Sequence, residues 1–65
     1  MTYTSRHERE MEALLTPKEV AHLLNIPMKT LYQWRYNGTG PPCHKIGRHL
    51  RYRRRDVEEW FEKQR

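Results

Sequence analysis

Apolar side chains recur along this chain at two spacings, and the change from one to the other divides it into elements. Val20, Leu23 and Leu24 stand at i, i+3 and i+4, with Ala21 keeping one side thin enough for close packing. That spacing predicts a helix over residues 17–24. Its start is marked three times in Thr16-Pro17-Lys18-Glu19: Thr16 can cap, Pro17 suits the first helical position, and Glu19 can reach back to the cap. Asn25 can take a left-handed turn, and Pro27 opens the next helix. There Leu31 and Trp34, three apart, share one face of a helix over residues 27–38 that Asn37-Gly38 stops. Two short helices joined by three or four residues predict a helix-turn-helix.

Thr39-Gly40-Pro41-Pro42 cannot be regular structure, and the run from Cys43 to Arg53 after it reads as a β-hairpin. Two registers compete. With Gly47-Arg48 alone as the turn, Ile46 shares a face with His49 and Arg51, while Leu50 and Tyr52 point the other way. With a three-residue loop Gly47-Arg48-His49, Ile46 pairs with Leu50 and His44 with Tyr52. One face is then His44, Ile46, Leu50 and Tyr52, and the other is Cys43, Lys45, Arg51 and Arg53. The second register separates apolar from basic and is the one expected, leaving Arg48 and His49 at an exposed tip. A last helix from Asp56 to about Lys63 carries Val57, Trp60 and Phe61 at i, i+3, i+4, with acids in its first turn. This stripe is expected to close a core over Val20, Leu24, Ile26, Leu31, Trp34 and Ile46. Residues 1–13 are polar, with Ser5 and Glu8 spaced like a capping box. They read as a loosely attached helix, with a mobile arm as the alternative.

Sixty-five residues make one small domain with a thin core, so an enclosed catalytic cavity is not expected. The single cysteine, Cys43, forms no internal disulfide. No long apolar run exists and the first ten residues lack the apolar core of a signal peptide, which points to a soluble, cytoplasmic protein with no membrane partner. The net charge of +5 is unevenly placed. Residues 1–34 carry four Lys/Arg against four Glu, and residues 35–65 carry nine against four acids. Six of those nine fall between Lys45 and Arg55. Clustered positive charge implies a polyanionic partner.

The second helix has two faces. Opposite Leu31 and Trp34 project Lys29, Gln33 and Tyr36, flanked by Met28, Thr30, Tyr32 and Arg35. Such side chains suit a DNA major groove, where they meet base edges and phosphates together. Trp34 and Trp60, spaced with other apolar residues, read as core rather than stacking platforms. Cys43, His44 and His49 have neither the second cysteine nor the spacing of a zinc site. As adjacent strand residues, Cys43 and His44 face opposite sides and make no nucleophile pair. No metal, cofactor or small-molecule ligand is expected, and no acid/base constellation suggests an enzyme. RNA binding is disfavoured by the lack of an aromatic sheet motif or a G-x-x-G loop.

The run L-L-T-P-K-E-V-A-H-L-L-N-I-P, followed by T-L-Y-Q-W, K-I-G-R-H-L-R-Y and D-V-E-E-W-F, resembles the MerR-like winged helix-turn-helix family. The resemblance is closest to its short members, the phage excisionases (recombination directionality factors) and AlpA-like regulators, and covers residues 14–61. It implies an α+β fold: a two-helix helix-turn-helix, a β-hairpin wing and a C-terminal helix, over residues 14–65, with residues 1–13 as an arm. It implies that the second helix enters the major groove and the wing meets the neighbouring minor groove or backbone. Lys29, Gln33 and Tyr36 then lie near bases, Met28, Thr30, Tyr32 and Arg35 beside them or nearer phosphate, and Lys45, Arg48, His49 and Arg51 on the wing. Two positions depart from the pattern. Pro27 stands where the family has a capping Ser or Thr, and Arg55 where it has a Ser, so that Arg53-Arg54-Arg55 becomes a basic run against phosphate. The long coil of full-length MerR regulators is absent. The expected function is sequence-specific binding of double-stranded DNA as an excision factor that binds tandem sites cooperatively and bends them. The alternatives are a small transcription regulator and an adaptor for an integrase or another partner protein. Copies of the chain itself, and possible contact with an integrase, complete the expected partners.

Overall fold

The computed structural model describes residues 14–64. The helix or arm expected over residues 1–13 lies outside them. Six elements follow in order: β1 (Leu14–Leu15), α1 (Pro17–Leu24), α2 (Met28–Asn37), β2 (His44–Ile46), β3 (His49–Arg53) and α3 (Arg54–Glu62). The strands form one antiparallel sheet in the order β1-β3-β2. The fold is a small α+β helix-turn-helix with a hairpin wing.

The start of α1 is set by a reciprocal pair of bonds. Thr16 Oγ1 accepts from the Glu19 amide at 3.1 Å, and Glu19 Oε1 accepts from the Thr16 amide at 2.8 Å. At the other end Asn25 adopts φ 57°, the Ile26 amide donates to the Ala21 carbonyl, and the Asn25 amide donates to that of His22. This paired closure satisfies the last carbonyls and turns the chain sharply enough for α2 to pack across α1. Pro27 caps α2 instead of opening it: its backbone is extended, and its carbonyl accepts from Thr30 and Leu31. The shift by one residue follows from the ring, which cannot donate but leaves its own carbonyl free for the first turn. α2 closes as α1 does, with Thr39 donating to the Trp34 carbonyl and Gly38 to that of Arg35.

The hairpin takes the register that apolar segregation disfavours. His44 pairs with Arg51, Lys45 with Leu50 and Ile46 with His49, so the loop is Gly47-Arg48 alone. Gly47 has φ +64° and Arg48 has none of the positive-φ strain, the pattern of a Gly-X two-residue hairpin. The inner face therefore carries Cys43, Leu50 and Tyr52, and Ile46 is 54% exposed on the outer face with His44, His49 and Arg51. Tyr52 explains the choice. It is 1% exposed, pairs with Leu15 of β1, and belongs to the core. The hairpin extends beyond that core, so Lys45 on the same side reaches solvent without being buried.

The hydrophobic core is Leu15, Val20, Ala21, Leu31, Tyr52 and Val57, with Leu24, Ile26, Met28, Trp34 and Cys43 packed partly against them. Ile46 is thus removed from the expected core. Leu23 and Phe61 prove largely exposed, because a domain this small cannot cover both flanks of each helix stripe. α3 begins at Arg54, two residues before the acidic cue at Asp56. Arg54 and Arg55 occupy its first turn, where their charge opposes the helix dipole and Asp56 offsets it.

Candidate nucleic-acid interface

Trp34 links α2 to everything that follows it. Its ring meets that of Trp60 on α3 with centroids 5.4 Å apart and planes tilted by 47°. Its carbonyl accepts both the Thr39 amide at 2.8 Å and the Thr39 hydroxyl at 3.2 Å. Gly40, at φ +81°, lies flat on the same side chain: a Cβ built there would stand 2.9 Å from Trp34 Cβ and 3.1 Å from Cε3. The connection from α2 to the wing is therefore clamped against the helix, and Pro41 is buried behind it. This clamp fixes how the hairpin stands relative to the solvent face of α2.

On that face Lys29, Gln33 and Tyr36 are exposed in a row, Tyr36 at 87%. Tyr32 is exposed beside them at the edge, while Thr30 is half-buried. Met28 is half-buried against the core, so its side chain supports the helix start more than it meets a partner. Arg35 is exposed but turned toward the wing, lining the open groove along residues 38–43. It also lies close enough to Tyr52 to act on it. Burial pushes the Tyr52 phenol far above the ordinary tyrosine range, and the neighbouring Cys43 thiol adds to the rise; Arg35 pulls the other way. Tyr52 thus stays neutral in the core.

On the hairpin Lys45, Arg48 and His49 are exposed, with Arg48 in the loop. His49 stands in β3 opposite Ile46 and not in the loop where it was expected. Arg51 is half-buried, and its Nη1 donates to the Leu50 carbonyl at 2.7 Å, so part of its guanidinium is spent within the wing. Arg53, Arg54 and Arg55 are exposed where β3 passes into α3. No Asp or Glu occurs anywhere between Glu19 and Asp56, so α2, its loop and the whole hairpin are free of carboxylate side chains. At the boundary Asp56 Oδ2 lies 3.6 Å from His44 Nε2. Ile46 is the surface residue that periodicity misassigned, and Gly47-Arg48 as a two-residue turn was the available signal. Among the described residues no group of three or more His, Cys, Asp or Glu side chains converges, and no helix is long and apolar enough to cross a membrane.

No curated protein matches the sequence. The sequence model of the Helix-turn-helix domain family matches residues 14–65. That family is typically non-enzymatic. The match spans most of the chain and coincides with the α1–turn–α2 unit and wing just described; the chain belongs to the Helix-turn-helix domain family, which includes excisionase and AlpA-like DNA-binding proteins, and membership supports DNA as its partner.

Proposed function

We propose that the chain binds specific sites on double-stranded DNA, with α2 in the major groove and the hairpin against adjacent backbone or minor groove, and acts as an excision factor in site-specific recombination. The observation that carries the reading is the row Lys29, Gln33, Tyr36, exposed on a helix whose opposite face is held by Leu31 and Trp34. Around it Tyr32, Arg35, Lys45, Arg48, His49, Arg51 and Arg53 to Arg55 supply phosphate contacts, and Met28 and Thr30 seat the helix start. One such module buries only about 600–1,000 Å², less than a specific site in a genome usually demands. Several copies on repeated sites supply the rest, and neighbouring copies in phase with the duplex favour a bend.

The test is a gel shift on single and tandem sites with nonspecific competitor, combined with circular permutation of the tandem site. Cooperative filling and a bend are expected, and deleting residues 1–12 is expected to reduce cooperativity more than single-site affinity. Independent filling without a bend would favour a transcription regulator using the same surface. Loss of the shifted band to competitor would favour an adaptor role. Arg48→Ala tests the wing: binding to all duplexes should weaken, and the slope of log K against log salt should fall by up to about one unit. A loss confined to the cognate site with an unchanged slope would mean that the wing reads sequence instead.

A further inference from the structure

Five large apolar side chains are strongly exposed among the described residues: Leu23, Tyr32, Tyr36, Ile46 and Phe61. Three belong to α2 or the hairpin. The other two, Leu23 at 49% and Phe61 at 58%, come from different helices and line one groove. Leu24 and Val57 form its floor, and Glu58 and Glu62 complete its lining. Single exposed apolar residues are ordinary, whereas two from different helices that line one concavity offer a place for an apolar side chain of a partner. The groove is open to solvent and offers a volume of about 190 Å³. An apolar cavity of about 150 Å³ holds a benzene ring, so this one takes a single large aliphatic or aromatic side chain.

We propose that the α1–α3 groove docks a basic amphipathic helix of a partner protein, seating one large apolar anchor between Leu23 and Phe61. Charge complementarity selects the occupant. Glu58 and Glu62 stand four apart on α3, on either side of Phe61 in sequence, and both are exposed and line the groove. A helix laid in such a groove places apolar anchors at i, i+3 or i+4 on the floor and lysine or arginine at its margin. Nucleic acid and anionic lipid surfaces are repelled by the same carboxylates. No residue of α2 or the hairpin lines the groove. The inference is therefore independent of the proposed DNA contacts, and the two surfaces can be occupied together.

The experiment is an NMR titration of the full 65-residue chain with three synthetic helical peptides of equal length. The first is rich in lysine and arginine with Leu and Trp at i and i+4. The second has those two positions changed to alanine, and the third has the basic residues changed to glutamate. The first peptide should shift resonances of Leu23, Leu24, Val57 and Phe61 and bind at least tenfold tighter than either control. Phe61→Ala should weaken it at least fivefold, as should the pair Glu58→Gln and Glu62→Gln, with duplex DNA binding retained in both variants. Because Phe61 is mostly exposed, its loss should leave the fold intact, and a retained amide spectrum checks this. Equal binding of the alanine or glutamate peptide, or shifts confined to α2 and the hairpin, would overturn the proposal. So would a concentration-dependent dimer that shifts the same resonances without peptide, which would assign the groove to a second copy. Stronger peptide binding after deletion of residues 1–12 would assign it to the chain's own N-terminal segment and overturn it equally.

Discussion

Gly40→Ala is expected to reduce folding stability by about 2–5 kcal/mol. Two costs add. A residue with a Cβ at φ +81° pays about 1–2 kcal/mol for the left-handed backbone. The added methyl would also stand 2.9 Å from Trp34 Cβ, a contact that neither group can relieve by rotating a flexible end. Overpacking of this kind typically costs a further 1–3 kcal/mol. A domain of this length has only a few kcal/mol in hand, so the midpoint of thermal unfolding should fall by roughly 10–20 °C. Gly47→Ala is the control. It carries similar backbone strain at φ +64° but meets nothing within 4 Å, so circular dichroism should show a clearly smaller loss. Equal losses would mean that the Trp34 contact contributes nothing.

Lys29→Ala and Gln33→Ala are expected to leave the fold untouched and to relax sequence preference. Both side chains are exposed on α2, so thermal unfolding should change little. Lysine suits the acceptors of guanine and glutamine the donor–acceptor pair of adenine, each good contact being worth about 1–3 kcal/mol of discrimination. Binding-site selection should show each variant losing preference at one or two base pairs, with cognate affinity approaching the nonspecific level when both are removed. A selection profile unchanged by Gln33→Ala would exclude that residue from base reading.

What was legible in the residues divides along physical lines. Local rules located α1 closely, because the Thr16–Glu19 box and the Asn25 turn are short-range bonds between near neighbours. Helical periodicity likewise separated the Leu31/Trp34 face of α2 from its outer face. Three features resisted because they depend on distant partners. Leu14–Leu15 is too short to show a period and becomes a strand only by pairing with Tyr52 and Arg53. The hairpin register turns on which side chain wins the core, and Tyr52, buried and paired with Leu15, outweighs the more apolar Ile46. Leu23 and Phe61 obey the helical period yet remain exposed, because periodicity records which face is apolar and not how much protein there is to cover it. In the candidate interface, the types of residue were readable, while the inward lean of Met28 and the Arg51 bond to its neighbour's carbonyl were not.

Leu14 and Leu15 pair with Arg53 and Tyr52, almost forty residues further along the chain. The two-helix turn and the hairpin each join near neighbours in sequence, whereas this pairing closes a long loop and carries the larger entropic cost of closure. Tyr52, the partner of Leu15 in that pairing, also feels the charge of Arg35. On the ribosome the N-terminal strand must therefore wait for a partner made near the end of synthesis. A nascent chain that already carries α1 and α2 still lacks the support that orients the hairpin beside them. The pairing is thus a second restraint on a wing that the Trp34–Gly40 clamp already ties to α2, and loss of β1 should loosen the hairpin without freeing it from that helix.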